Sequence, residues 1–348
     1  MKQVLKKAIL VSGLLMAITP SVFAEEMGDD YSFKMKGKLR TFYGQLNSGV
    51  DGETAHMTEF NEANIAGSVK RGAMTGYFEI ESREGSESPT TIRNITYKTA
   101  PGIVIGIGTF KPKWGYNFSW GGGTETSEAA NFNFYKGLLN KLEGDALQFE
   151  YKAGDHKMGI TMYQDDRIHK SSGSTTQIGA MGKIGPIHYR VNSNSAVSDD
   201  FAGGETASSS ASNVGLKYKG EGFAVSVDSA SKDKGYAEST STDDDGVSST
   251  TDAYSKLYSE SALQGRVNIG SDELIVTLAT EEYKKDTTGA DVTTTAHTDI
   301  VYVVPVAKKA NIKFVYGSAA ETTATDDTTD TEETVTGTFA GLGFFIKF

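Results

Sequence analysis

From residue 31 onward, apolar and polar positions alternate in short runs. Leu147, Phe149 and Tyr151 alternate with Gln148, Glu150 and Lys152, and Ile187, Tyr189 and Val191 with His188, Arg190 and Asn192. The same rhythm runs through Val214, Leu216 and Tyr218, through Phe223, Val225 and Val227, and through Ile312, Phe314 and Tyr316. Successive strand side chains point to opposite faces, so each run predicts a strand with one greasy and one polar flank. Sixteen strands are expected, near residues 31–46, 57–70, 73–82, 91–99, 103–111, 145–153, 157–165, 175–184, 187–195, 212–219, 222–231, 260–270, 273–283, 296–306, 310–318 and 335–348.

The connections between these runs are sorted by length. Lys70-Arg71-Gly72, Ala100-Pro101-Gly102, Ala153 to His156, Gly185-Pro186, Gly220-Glu221-Gly222, Gly270-Ser271-Asp272 and Ala307-Lys308-Lys309 are short and mostly built of turn formers. Between them lie long polar segments such as Ser195 to Ala211, Lys232 to Ser259 and Ala319 to Thr334. Short turns at one rim and long loops at the other are expected of an up-and-down membrane barrel, and a soluble sandwich has no reason to sort them so. In that reading the apolar flanks meet hydrocarbon and the polar flanks enclose water. Strands survive in lipid only as a closed ring, because lipid offers backbone groups no hydrogen bonds.

Both ends of the chain fit. Lys2, Lys6 and Lys7 precede an apolar run from Ala8 to Ile18, and Val22-Phe23-Ala24 places small residues where a leader peptidase inspects. That run is shorter than the roughly 20 residues of a spanning helix, so residues 1–24 are expected to be an export signal and residues 25–348 the barrel domain. The last segment puts Ala340, Leu342, Phe344, Ile346 and Phe348 on one face and Gly341, Gly343 and Lys347 on the other.

Composition narrows the function. Of 348 residues 38% are hydrophobic, and 39 Gly, 16 Tyr and 17 Phe accompany scarce Leu and abundant Thr, Ser and Val, a composition that favours strands. The chain has no Cys, which removes disulfides and thiolate metal sites. Loss of the three leader lysines would leave 31 basic against 45 acidic residues and take the formal charge from −11 to −14, so nucleic acid is not an expected partner. Five histidines are scattered among segments without a serine nucleophile motif, a phosphate-binding glycine loop or a zinc-binding helix pair. No enzymatic activity, cofactor or metal is therefore expected. Asp243-Asp244-Asp245 and Thr325 to Glu333 read as solvated outer surface.

Taken together, the leader, a first strand reading Lys36-Gly37-Lys38-Leu39-Arg40-Thr41-Phe42-Tyr43-Gly44, sixteen strands, a long third loop and the closing Phe348 resemble the general diffusion porins of Gram-negative outer membranes. The resemblance covers the mature chain. The Pro-Glu-Phe-Gly type motif that many porins carry in their third loop is absent, and Trp120-Gly121-Gly122-Gly123-Thr124-Glu125 stands in its region. What the resemblance implies is an all-β, 16-stranded antiparallel transmembrane barrel, assembled as a homotrimer in the outer membrane, with an inward-folded third extracellular loop narrowing each pore. It further implies contact with membrane lipid and lipopolysaccharide, and passage of ions and small hydrophilic solutes. A strand ending in Phe344, Ile346 and Phe348 is similar to the signal that the barrel assembly machinery reads in that family.

Candidate pore residues follow from parity. Lys34, Lys36, Lys38 and Arg40 share one face of the first strand, opposite to Phe33, Met35, Leu39 and Tyr43. Their face should be the lumen, because a cation at the bilayer midplane costs about 2–4 kcal/mol on the lipid side. Lys98, Lys152, Arg190, Lys217, Arg266 and Lys313 fall on lumen faces by the same rule. Opposing acids are expected from the third loop, where Glu125 and Glu128 are the candidates and Glu143 and Asp145 lie near its end. Gly106 and Gly108, on the lumen face of the fifth strand, are expected to leave room for the loop backbone. Trp114, Tyr116, Phe118 and Trp120 alternate within the loop, and a row of aromatics can stack on sugar faces. A saccharide-selective channel is thus the alternative to a general one, and a structural or adhesive barrel with a plugged lumen is the third reading.

Overall fold

A computed structural model describes residues 31–47, 54–57, 62–83, 90–110, 118, 144–166, 174–197, 206–236, 239–242, 248–251, 254–286, 292–324 and 333–348. The described elements are strands: β1 Tyr31–Asn47, β2 Thr54–Met57, β3 Glu62–Arg71, β4 Met74–Arg83, β5 Thr90–Ala100, β6 Ile103–Phe110, β7 Gly144–Ala153, β8 His156–Asp166, β9 Ser174–Ile184 and β10 Ile187–Val197. They continue with β11 Thr206–Lys219, β12 Phe223–Tyr236, β13 Ser239–Thr242, β14 Ser248–Thr251, β15 Tyr254–Ile269, β16 Asp272–Asp286, β17 Val292–Ala307, β18 Ala310–Ala324 and β19 Glu333–Lys347.

Seventeen of these strands form one antiparallel sheet, and β13 and β14 pair separately. β2 and β3 both lie along β1, so the sheet has sixteen staves. Each stave pairs with the next in sequence, and β1 returns to β19 from Lys38↔Lys347 to Asn47↔Thr338. The ring is closed and leaves no edge.

Turn chemistry explains one rim. The seven short turns stand where the sequence places them, and glycines 72, 102, 154, 185, 222 and 270 have φ between 54° and 82° in six of them. That left-handed backbone is open to Gly at little steric cost. Above the same rim, Tyr31, Tyr97, Tyr151, Tyr218 and Phe223 are exposed on the outer face, an interfacial aromatic girdle.

The outer surface is the greasy one. Leu216, Val227, Leu263 and Leu278 lie opposite one another in one transverse row across four staves, and each is 45–48% exposed. The inward face is polar over much of the wall, with Gln148, Glu150, Gln177, Asn192, Asn213, Asp228, Glu260, Gln264 and Asp299 buried. The expected alternation therefore holds, with one correction. On β16 to β19 the inward side carries Ile275, Val301, Val315, Ala319 and Phe339 as an apolar cluster, so polarity of the inner flank is not uniform.

Two Phe rings staple the closure. On the inner side the Phe339 ring covers Gly44 of β1 and Gly341 of its own strand; on the outer side the Phe348 ring covers Gly37, whose N–H and C=O exchange 3.0 Å bonds with Phe348. An aromatic laid over a strand glycine replaces the packing that the missing side chain cannot supply. A Cβ on Gly37 would overlap that ring. Gly37→Leu is expected to cost about 1–3 kcal/mol through overpacking, read as a lower urea midpoint for the folded, heat-modifiable band.

The strands run further than their apolar pattern. β11 begins at Thr206 rather than near 212, β12 reaches Tyr236, β15 starts at Tyr254, β17 starts at Val292 and β18 reaches Ala324. These extensions are rich in Ser, Thr and charge. Hydrophobic alternation ends where the lipid ends, whereas the hydrogen-bond ladder continues into water. The second expected strand is also split, into β2 and β3.

Candidate pore-lining site

The β1 ladder faces inward. Lys38 lies opposite Lys347 and Asn64, Lys36 opposite Ala66 and Lys34 opposite Ser68, while their odd-numbered neighbours Met35 and Tyr43 are exposed on the outer surface. Lys34 and Lys36 are exposed, Lys38 and Arg40 half-buried. The Lys36 ammonium sits 5.6 Å from the centroid of the Tyr77 ring, a cation–π contact. Tyr77 donates its hydroxyl to Glu79; Asn64 donates to Glu79 and, at 3.2 Å, to Glu81. The basic ladder thus stands beside acids on its own wall. Sequence reasoning missed Glu79 and Glu81 because it sought counter-charges only on the loop, although both share the inward parity of β4.

Glu125, Glu128 and Glu143 lie outside the described residues, as do Trp114, Tyr116, Trp120 and the 1–24 leader. Asp145 is described, and it is not a loop acid: it belongs to β7 and accepts the Thr109 hydroxyl at 2.6 Å. A Cβ on Gly106 would meet the Phe110 ring at 2.7 Å. Gly108 adopts φ of 122°, and a Cβ there would strike the carbonyl of Arg93.

Phe118 is the described residue of the third loop. Its N–H donates to Oδ1 of Asp228 on β12 at 3.0 Å, and the Arg190 guanidinium of β10 stands 4.7 Å from its ring centroid. Asp228 is buried and faces Gly215 of β11, which has no side chain to obstruct it. A residue eight positions past the end of β6 therefore touches a wall four and six staves away around the ring. Of the four loop aromatics, the described one is engaged by a wall cation. Asp228 was legible as an inward acid, but nothing in the sequence named its partner.

The C-terminal residues Phe344, Ile346 and Phe348 are all exposed on the outer face, as the alternation requires.

Solved structures share this fold. OmpT, an outer membrane protein of Vibrio cholerae, superposes with TM-score 0.63 at 12% identity, covering 92% of this chain and 99% of that one. The outer membrane channel DcaP of Acinetobacter baumannii gives 0.58 at 13%, covering 92% and 98%, and OmpF of Salmonella typhi 0.57 at 12%, with the same coverage. No family model matches the chain, and no curated protein does. The chain shares the closed antiparallel β-barrel fold of these outer-membrane proteins. At such low identity the likeness is one of architecture, and the site residues above stand on this chain's own geometry.

Proposed function

We propose that this barrel is a passive diffusion porin for ions and small hydrophilic solutes, working without catalysis or cofactor. The observation that carries this reading is a closed ring, greasy outside, whose inner wall holds charged groups and is met from the third loop by Phe118 on Asp228 and Arg190. A loop anchored there folds inward and narrows the passage, and Glu125 and Glu128 would then oppose Lys34, Lys36, Lys38 and Arg40. Such a transverse field filters solutes by charge and size.

The general reading is preferred to a saccharide channel because the Phe118 ring is turned to a guanidinium and not left as a stacking platform. Assembly as a homotrimer, contact with lipopolysaccharide, delivery by a cleaved leader and recognition of the Phe348 strand by the barrel assembly machinery belong to the same proposal. Single-channel recording of the purified protein tests it. Steady ohmic openings that close in three equal steps are expected; a folded protein that shows no conductance would point instead to a plugged structural barrel.

A further inference from the structure

A second group of cations lines the inner wall far from β1, beside the short turns. Lys183 ends β9, His188 and Arg190 begin β10, Lys217 and Lys219 end β11, and Arg266 lies on β15. Their neighbours Ile184, Ile187, Tyr218 and Val267 are exposed on the outer face, so the six point inward. Register makes the grouping tight. Lys183 lies directly opposite His188, and His188 directly opposite Lys217. Lys219 is opposite Ala224, which is opposite Arg266. Lys183, Arg190, Lys217 and Lys219 all act electrostatically on His188, and Arg190, Lys219 and Arg266 on Lys217.

Like charges directly opposite each other in a sheet weaken it. Carboxylates stand among these bases. Asp155 stands 3.4 Å from Lys183 and Glu273 3.7 Å from Arg266, while Asp228 already accepts the Phe118 N–H. Glu221 lies in the turn between β11 and β12. Five basic side chains and an imidazole thus share one inward-facing patch spanning β9 to β15.

We infer that this inner-mouth cluster is a binding site for small multivalent anions, with two or three negative charges borne on phosphoryl or carboxylate oxygens. Such a ligand accepts hydrogen bonds from several cations at once and relieves their repulsion, which a monovalent ion does less well. The inference rests on the open-lumen reading, because the site must be reachable from water.

Calorimetric titration of the full-length protein in detergent with inorganic pyrophosphate, citrate and acetate tests it, alongside Lys183→Gln/Lys217→Gln/Lys219→Gln. Lys308→Gln/Lys309→Gln/Lys347→Gln, at another turn, is the charge-matched control. Pyrophosphate or citrate should bind and acetate should not; the triple variant should bind about tenfold more weakly, and affinity should fall as salt screens the cluster. Binding of only one of the two assigns the site to phosphoryl or carboxylate chemistry. No binding, or equal binding by wild type and triple variant, overturns the inference. Should the triple variant fail to fold, Lys217→Gln alone carries the comparison. Conductance of the same sample in potassium chloride keeps the two claims apart: a channel that conducts but binds no anion refutes the site alone, and a protein that binds but does not conduct refutes the channel.

Discussion

Leu263→Arg is expected to destabilise the barrel by about 2–4 kcal/mol, the cost of a cation at the midplane of the lipid face. Leu263 sits in the middle of the Leu216–Val227–Leu263–Leu278 row, with aliphatic neighbours on both sides and nothing polar opposite. A guanidinium there must either remain in hydrocarbon or snorkel past these side chains. Lys219→Leu makes the converse change on the inner face, where Lys219 is exposed, and is expected to alter stability by less than about 0.5 kcal/mol. Reversible folding into lipid vesicles across a urea series measures both. Equal costs would mean that the two faces meet the same solvent.

Neutralising the β1 ladder should change what the pore passes. Lys36→Gln/Lys38→Gln/Arg40→Gln removes three cations from one strip of wall while leaving Glu79, Glu81 and Asn64 in place. The local potential turns negative, so the zero-current potential across a salt gradient should shift toward cation preference, by an amount that shrinks as salt rises. The wall acids make this shift larger than loop acids alone would give, because Glu79 and Glu81 lie within the same hydrogen-bonded group as Asn64, the residue opposite Lys38. An unchanged reversal potential in planar bilayers would remove the ladder from the narrow part of the pore.

The barrel was legible because its two solvents impose one pattern. Each stave must be apolar toward lipid, and the turns at one rim must be short, so period and punctuation point to the same fold. What escaped the sequence lies where those constraints lapse. Residues 206–211 and 319–324 show no hydrophobic alternation because they stand above the lipid, yet they stay paired. The apolar inner cluster around Val301 and Phe339 escaped because alternation marks one flank as greasy without requiring the other to be polar. At the candidate site, parity correctly aimed Lys34, Lys36, Lys38, Arg40, Arg190, Lys217 and Arg266 inward. Pairings such as Tyr77 with Lys36 and Asp228 with Phe118 depend on strand register and loop path, which parity does not encode.

Accessibility of adjacent positions on one strand tests the facing of the wall most directly, and the absence of native Cys makes it clean. Single cysteines at Met35 and Lys36, at Tyr97 and Lys98, and at Tyr151 and Lys152 would be exposed to a membrane-impermeant thiol reagent in vesicles. The structure predicts rapid labelling at 36, 98 and 152, together with quenching by lipid-borne quenchers of a probe at 35, 97 and 151. The reverse pattern, or no difference within the pairs, would contradict a barrel that holds water inside and lipid outside.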